Sequence, residues 1–545
     1  MKQYVIGIDC GTLSGRAVLV DVHSGMEMAE SVYVYPHAVM DEYLPNGEKL
    51  PQNYALQHPA DYLGVLKNTI PDILQKASAK PSEVMGLGID FTACTILPVD
   101  EKGYPLCMKK EYQNNKHAYV KLWKHHAAQI YADEINMLAR ERGESWLSIY
   151  GGKISCEWAL PKILQILRES PEIYDATDRF TEAADWLSFV LTGKETHSAV
   201  FAGYKGLWNA ETGYPSNDFM KALDSRLDGI VGTKLSCHIL DMDNMAGYLN
   251  EEGALLTGLS VGTPVALPMI DAHAAMPALN ITDDGDLMLI EGTSACHILN
   301  SKEAKNVEGI CGYVKDGVIP GLYTYEAGQA AVGDIFDWFV KNGVPANYME
   351  EAKEKGMGIH KLLREKAQAL KVGESGLLAL DWWNGNRSIL VNSNLTGMIL
   401  GLNLQTKPEE IYRALIESTA FGLKIIVSQY EESGIHIRNI CAAGGIAQKD
   451  DMMMQIYADV LERDIQIAGS TQAGALGSAM YAAAAAGIYP NIKETACVMS
   501  CPAVKVYHPN AENAKAYQTL YAEYKTLHDY FGKENLVMER LGGIL

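Results

Sequence analysis

Apolar positions along this chain follow two schemes. Short β-branched or aliphatic runs predict strands, and periodicities of three to four residues predict helices. The first strand pair lies in VIGIDCGTLSGRAVLVD, where an aliphatic run ends at Asp9, turns through Gly11-Thr12 and resumes beyond Arg16. The same order returns in GDLMLIEGTSACHILN: strand, Glu291, a Gly292-Thr293 turn, strand. A third strand–turn–strand unit, GLGIDFTACTILPVDEKG, separates them. Residues 61–77 read as a helix on Leu63, Leu66, Ile70 and Leu74, and 121–142 and 156–169 also read as helical. In the second half, 334–341 predicts a helix. Thr406-Lys407-Pro408-Glu409 predicts another start, a capping box with proline in the first turn. That helix runs towards Ser428 and is followed by a strand at 439–443, a Gly444-Gly445 turn and a helix near 450–462. Tyr517, Leu520, Tyr521, Tyr524, Leu527 and Phe531 give 510–531 an aromatic stripe that reads as packing. Strands alternating with helices predict an α/β fold.

The duplicated hairpin carries the first chemical information. Glycine at such a turn lets backbone N–H groups approach a phosphate, and the hydroxyls of Thr12, Ser14, Thr293 and Ser294 add donors. Gly-Thr turns also join hairpins that bind nothing. Two matched copies instead suggest a duplicated fold gripping a nucleotide's phosphates from both sides. No GxxxxGK[ST] stretch is present, and no GxGxxG follows a strand and opens a helix, so P-loop and Rossmann sites lack support.

Composition narrows the classes. The 545 residues exceed one core and allow about three or four compact units. A net charge of −21 argues against a nucleic-acid partner, since no basic surplus exists to displace counterions. No apolar run reaches the ~18 residues of a membrane span, and MKQYVIGIDCGT does not read as a signal peptide. The ten cysteines form no CxxC pair, which fits reduced thiols and a cytoplasmic location. His125-His126 is a poor metal pair because neighbours on a helix face different ways.

Six segments in order, IDCGTLSGRA, GIDFTACT, IDAHAA, EGTSACH, YEAGQ and CAAGGIAQ, resemble the FGGY carbohydrate kinases of the wider actin, hexokinase and heat-shock-ATPase fold. VKLWKHHAA, AGYKGLW, GLLALDWWNGNRSIL and LHDYFG extend the resemblance over essentially the whole chain, towards the branch that phosphorylates L-ribulose. The resemblance implies two ribonuclease-H-like lobes, each a mixed sheet flanked by helices, with the active site in the cleft between them. It divides the chain into 1–277, carrying sugar binding and the base, and 278–545, carrying the nucleotide and ending in a C-terminal helix. The implied reaction is ATP plus L-ribulose to ADP plus L-ribulose 5-phosphate, a step in L-arabinose catabolism.

Phosphoryl transfer requires positioning, charge stabilisation and an acceptor for the hydroxyl proton. Asp271, at a predicted strand end in PMIDAHAA, is the expected general base. An aspartate there would equally suit capping of the helix that follows. Asp9 is the expected Mg²⁺ partner, through water. Gly11, Thr12 and Ser14 on one side and Gly292, Thr293 and Ser294 on the other are expected around the phosphates, with Arg16 nearby. Gly444, Gly445 and Gln472 are implied for the nucleotide. The resemblance implies Ala93, Trp123, Lys205, Asp271 and Glu326 for the sugar. It also places Asn384 and Arg387 near the cleft. A homodimer is the assembly to test.

The chain departs from the family pattern at Ala275, where many relatives carry glycine, at Leu13, which replaces a polar residue, and in Gln472-Ala473, where Thr-Pro often follows the glutamine. Competing readings are a sister kinase for xylulose, D-ribulose or ribitol, and an actin-fold ATPase without a sugar substrate.

Overall fold

The structure, a computed structural model, describes residues 2–470 and 472–542. The last three residues of the segment 278–545 lie outside the described range. Two seven-stranded mixed sheets dominate. In the first, the path runs Met245–Tyr248, Pro264–Ala266, Val84–Phe91, Tyr4–Cys10, Ser14–Asp21, Glu27–Val34, with Met269–Ile270 also paired to Val84–Phe91. The three strands from Tyr4 to Val34 form an antiparallel meander, and Val84–Phe91 joins Tyr4–Cys10 in parallel. The second sheet runs Gly312–Lys315, Tyr323–Gln329, Ala295–Ser301, Asp286–Glu291, Asn439–Ala443, Ile465–Ile467, Lys505–Tyr507. It repeats the logic, an antiparallel hairpin followed by a parallel neighbour.

A Gly-Ile-Asp triplet occurs twice in the first sheet, and the parallel register sets the copies side by side: Gly7 beside Gly88, Ile8 beside Ile89, Asp9 beside Asp90. The glycines leave a bare face, onto which the helix Ala473–Ala485 lies with its backbone nearly touching the sheet. A Cβ at Gly7 would fall 1.7 Å from the Ala475 carbonyl oxygen, and one at Gly88 1.9 Å from that of Ser478. A Cβ at Gly477 would fall 1.6 Å from the oxygen of Ala274, in the helix Asp271–Ala278. The alanine tract is therefore a packing device, and a helix from the second half of the chain completes the core of the first sheet.

A smaller four-stranded antiparallel sheet, in the order Leu56–Gln57, Val120–Lys121, Ile96–Val99, Arg179–Glu182, extends the first unit. With Gln129–Arg142 and Ala159–Glu169 it surrounds a separate apolar core. The predicted helix over 121–142 is corrected here. Val120–Lys121 is a strand, and helix begins only at Gln129, because pairing with Leu56 and Gln57 captures the first residues. Within that stretch His125 is buried against Gln165, while His126 faces Glu157 at the surface. The capping box shifts by one residue: Lys407 is the N-cap and its N–H donates to Glu410 at 2.6 Å. That helix continues to Glu432.

Around the second sheet, Pro408–Glu432, Asp451–Leu461 and Ala511–Asp529 enclose the remaining core. Tyr517 and Tyr524 are buried in it, as the aromatic stripe predicts. All ten cysteines are free thiols. Among the described residues no helix is long and apolar enough to cross a membrane.

Candidate active site

Strand ends from both sheets and the edge of the smaller sheet meet at one cleft of about 580 Å³. Ala93, Trp123, Lys205, Asp271 and Glu326 all line it, with Asn384, Arg387 and the thiol-bearing Cys94 and Cys296. These residues are scattered in sequence but converge for local reasons. Ala93 sits in the turn after Val84–Phe91, Trp123 just beyond Val120–Lys121, and Lys205 at the C-terminus of the short helix Ala199–Tyr204. Glu326 lies mid-strand in Tyr323–Gln329 of the second sheet.

Lys205 Nζ donates to Glu326 Oε1 at 2.7 Å and stands 5.5 Å from the Trp158 ring centre. Burial alone would neutralise the lysine, but the Glu326 charge reverses this and holds it firmly protonated. Burial likewise pushes Glu326 up, and the Lys205 charge more than offsets it, keeping the carboxylate ionised. His273 is fully buried beneath, 3.7 Å from Glu326 Oε2, and burial pushes it down to about 4, so it is a neutral ring. The cleft thus presents an anchored cation–carboxylate pair with unused donor and acceptor capacity.

Asp271 opens the helix that follows Met269–Ile270. Its Oδ1 accepts the N–H of the adjacent Ala272 at 2.6 Å, a contact one residue on, and Ile270 occupies the cap position. The other carboxylate oxygen is left for the cleft. Burial and then the Asp9 charge push Asp271 up to about 7. A carboxylate there suits proton abstraction near neutral pH.

Asp90 was not singled out by sequence reasoning. It is fully buried, accepts from Ser478 Oγ at 2.6 Å through Oδ2, and its Oδ1 has no partner. Burial and then the neighbouring Asp9 hold it well above the usual carboxylate range. The repeated Gly-Ile-Asp was the available signal. Asp9, also raised by burial, faces Arg16 Nε at 3.4 Å. Asp9 offers Mg²⁺ one hard oxygen donor, and no cluster of three or more ligating side chains exists among the described residues. That donor set fits a cation that keeps most of its waters and phosphate ligands.

Both Gly-Thr hairpins are closed by a hydrogen bond from the glycine, the second across a turn one residue shorter. Gly11 N–H donates to Ser14 O and Gly292 N–H to Ser294 O, each at 3.0 Å. Neither glycine has positive φ, but a Cβ would fall 3.2 Å from the Ser14 carbonyl oxygen at Gly11 and 3.5 Å from that of Ser294 at Gly292, so a bare Cα suits the tight turn. The Thr12 and Thr293 N–H groups have no partner among the described residues. Trp123 Nε1 donates to Thr12 Oγ1 at 3.2 Å, coupling this wall of the cleft to the first hairpin. Gly444 has φ +96°, and a Cβ there would strike the Glu291 carbonyl oxygen at 2.4 Å. A short helix, Gly445–Lys449, separates this turn from the one near 450–462, which runs Asp451–Leu461. Gln472 bridges Arg16 and Glu30, placing it at the rim beside Asp9.

Residues 4–276 and 287–486 match, respectively, the N-terminal and C-terminal domain models of the FGGY family of carbohydrate kinases. The chain belongs to the FGGY family of carbohydrate kinases. Among curated FGGY relatives, a ribulokinase of Bacillus licheniformis is 53% identical over 97% of both chains. One of Geobacillus thermodenitrificans is 52% identical over 99% of this chain and 97% of its own. The xylulose kinase structure from Rhodospirillum rubrum superposes with a TM-score of 0.81 at 22% identity, covering 97% of this chain and 99% of that one. It shares the two-unit FGGY fold. The protein is accordingly a sugar kinase, and membership of this family implies use of ATP.

Proposed function

We propose that this FGGY kinase transfers the terminal phosphoryl group of ATP to the 5-hydroxyl of L-ribulose, a cytoplasmic step in L-arabinose catabolism. The observation that carries the reading is the meeting of Asp271, Lys205, Glu326, Trp123 and Ala93 in one cleft. The substrate assignment draws on curated relatives named ribulokinase at 50–53% identity over nearly the full chain.

In this reading Glu326 accepts from sugar hydroxyls and Lys205 donates to a hydroxyl or the ketone oxygen. Trp123 covers an apolar face of the sugar, and Ala93 leaves room for it. Asp271 takes the hydroxyl proton as that oxygen bonds to the γ-phosphorus and the bond to the bridging β–γ oxygen breaks, releasing ADP. Thr12, Ser14, Thr293 and Ser294, with Gly11 and Gly292, cradle the phosphates, while Gly444, Gly445 and Gln472 serve the nucleotide. Asp9 would hold Mg²⁺, with water between them in keeping with that ion's habit, and the ion would supply charge neutralisation on the phosphate oxygens.

We further assign sugar binding and the base to 1–277 and the nucleotide to 278–545. The hydrogen-bonding equipment of the sugar wall argues against an ATPase without a small-molecule substrate. Phosphorus NMR of a reaction with L-ribulose tests the assignment: one sugar 5-phosphate per ADP is expected. Phosphate release without a phosphorylated sugar would contradict it.

A further inference from the structure

Two buried polar side chains outside the cleft, Lys162 and Glu182, converge on a single peptide group. Lys162, fully buried in Ala159–Glu169, donates from Nζ to the Cys94 carbonyl at 2.6 Å and to the Leu122 carbonyl at 2.9 Å. Glu182, buried at the end of Arg179–Glu182, accepts the Thr95 N–H at 2.7 Å. The Cys94 carbonyl and the Thr95 N–H belong to the same peptide bond, so it is gripped from both edges. The Thr95 carbonyl is also taken, by the N–H of Ala183 at 2.9 Å.

This peptide lies in the turn that lines the cleft with Thr92, Ala93 and Cys94. Cys94 has φ +57°, a left-handed conformation that an L side chain holds only under constraint. The other Lys162 acceptor, Leu122, precedes Trp123. The first N–H of the same helix, from Ala159, donates to the Lys205 carbonyl at 3.1 Å. One helix start therefore touches the backbone at or next to three sugar-facing residues.

We infer that Lys162 and Glu182 are positioning residues that set sugar affinity and selectivity by clamping the Cys94–Thr95 peptide and so fixing Ala93 and Trp123. The inference rests on the sugar-kinase reading of this cleft. Each partner satisfies one edge of a buried peptide, and losing either leaves a buried backbone group unpaired.

The test is steady-state kinetics with L-ribulose and MgATP for wild type, Lys162→Met, Glu182→Leu, Glu182→Gln and Lys162→Met combined with Cys94→Gly, each checked by thermal melting. Lys162→Met and Glu182→Leu raise KM for L-ribulose about tenfold or more, as expected when a buried backbone group loses its partner. KM for ATP shifts several-fold less than KM for the sugar, since only the Trp123–Thr12 hydrogen bond links the clamped segment to the phosphate hairpin. Glu182→Gln keeps an acceptor for the Thr95 N–H and stays near wild type. Cys94→Gly restores most of the sugar affinity to Lys162→Met, because glycine adopts positive φ freely. Folded Lys162→Met or Glu182→Leu with wild-type KM for sugar would overturn the inference, as would equal shifts for sugar and ATP, or no rescue by glycine. If Lys162→Met does not accumulate folded, the contrast between Glu182→Leu and Glu182→Gln decides. Wild type inactive on L-ribulose overturns the substrate reading instead, and the same comparison then runs on whichever pentose is phosphorylated.

Discussion

Lys205 Nζ, at the end of the helix Ala199–Tyr204, and Glu326 Oε1, on a strand of the second sheet, meet at 2.7 Å across 121 residues of sequence, so this wall of the cleft exists only when both halves of the chain are in place. Removing one partner leaves the other buried and uncompensated. Lys205→Met and Glu326→Gln should each lower kcat/KM for the sugar by about a hundredfold or more, the scale of a lost charged hydrogen bond. The double variant should cost less than the sum of the two, because each single change already breaks the pair. Additive losses in this cycle would mean the residues act independently.

Asp271 must be ionised to accept a proton, and it is pushed up to about 7. The kcat/KM for sugar should therefore rise with pH to a plateau above about 7 and fall as the carboxylate is protonated below it. Asp271→Asn should lower kcat by about a thousandfold and change sugar binding little, which equilibrium binding by calorimetry would separate from catalysis.

Asp9 is the neighbouring charge that helps to raise Asp271. Asp9→Asn should move the acid limb of the pH profile below its wild-type position, since a like charge is removed. The same variant should raise the half-saturating Mg²⁺ concentration by about tenfold, the range seen when a metal's supporting shell is weakened. A shift in neither quantity would separate Asp9 from both roles.

The glycines divide into two groups with different expected phenotypes. Gly88→Ala drives a methyl group to 1.9 Å from the Ser478 carbonyl oxygen, a backbone atom that cannot move aside. It should cost about 3 kcal/mol or more, or prevent folding, as overpacking does. Gly445 has no atom within 4 Å of its would-be Cβ. Gly445→Ala should melt like wild type and raise KM for ATP, which calorimetric melting and ATP titration would distinguish.

The paired hairpins were legible because each is a local pattern: a strand, an acidic residue, a Gly-Thr turn and a strand. In structure both turns are closed from the glycine N–H, but the second is one residue shorter. The start of the predicted helix over 121–142 was misread because pairing to Leu56–Gln57 is non-local and leaves no trace in periodicity. Asp90 escaped for the same reason, since only parallel pairing reveals that its Gly-Ile-Asp lies beside that of Asp9. The alanine tract signalled tight packing but not its partner. The bare glycines at 7 and 88 that receive it lie far away in sequence. Resemblance supplied Lys205 and Glu326 as separate residues, and the structure adds that they form a pair.

The most direct test of the central claim is ADP release with MgATP against L-ribulose, D-ribulose, both xyluloses, ribitol and glycerol, for wild type and Asp271→Asn. The account predicts pentose-dependent turnover led by L-ribulose and lost in the variant. ADP release that ignores both the sugar and Asp271 would contradict it.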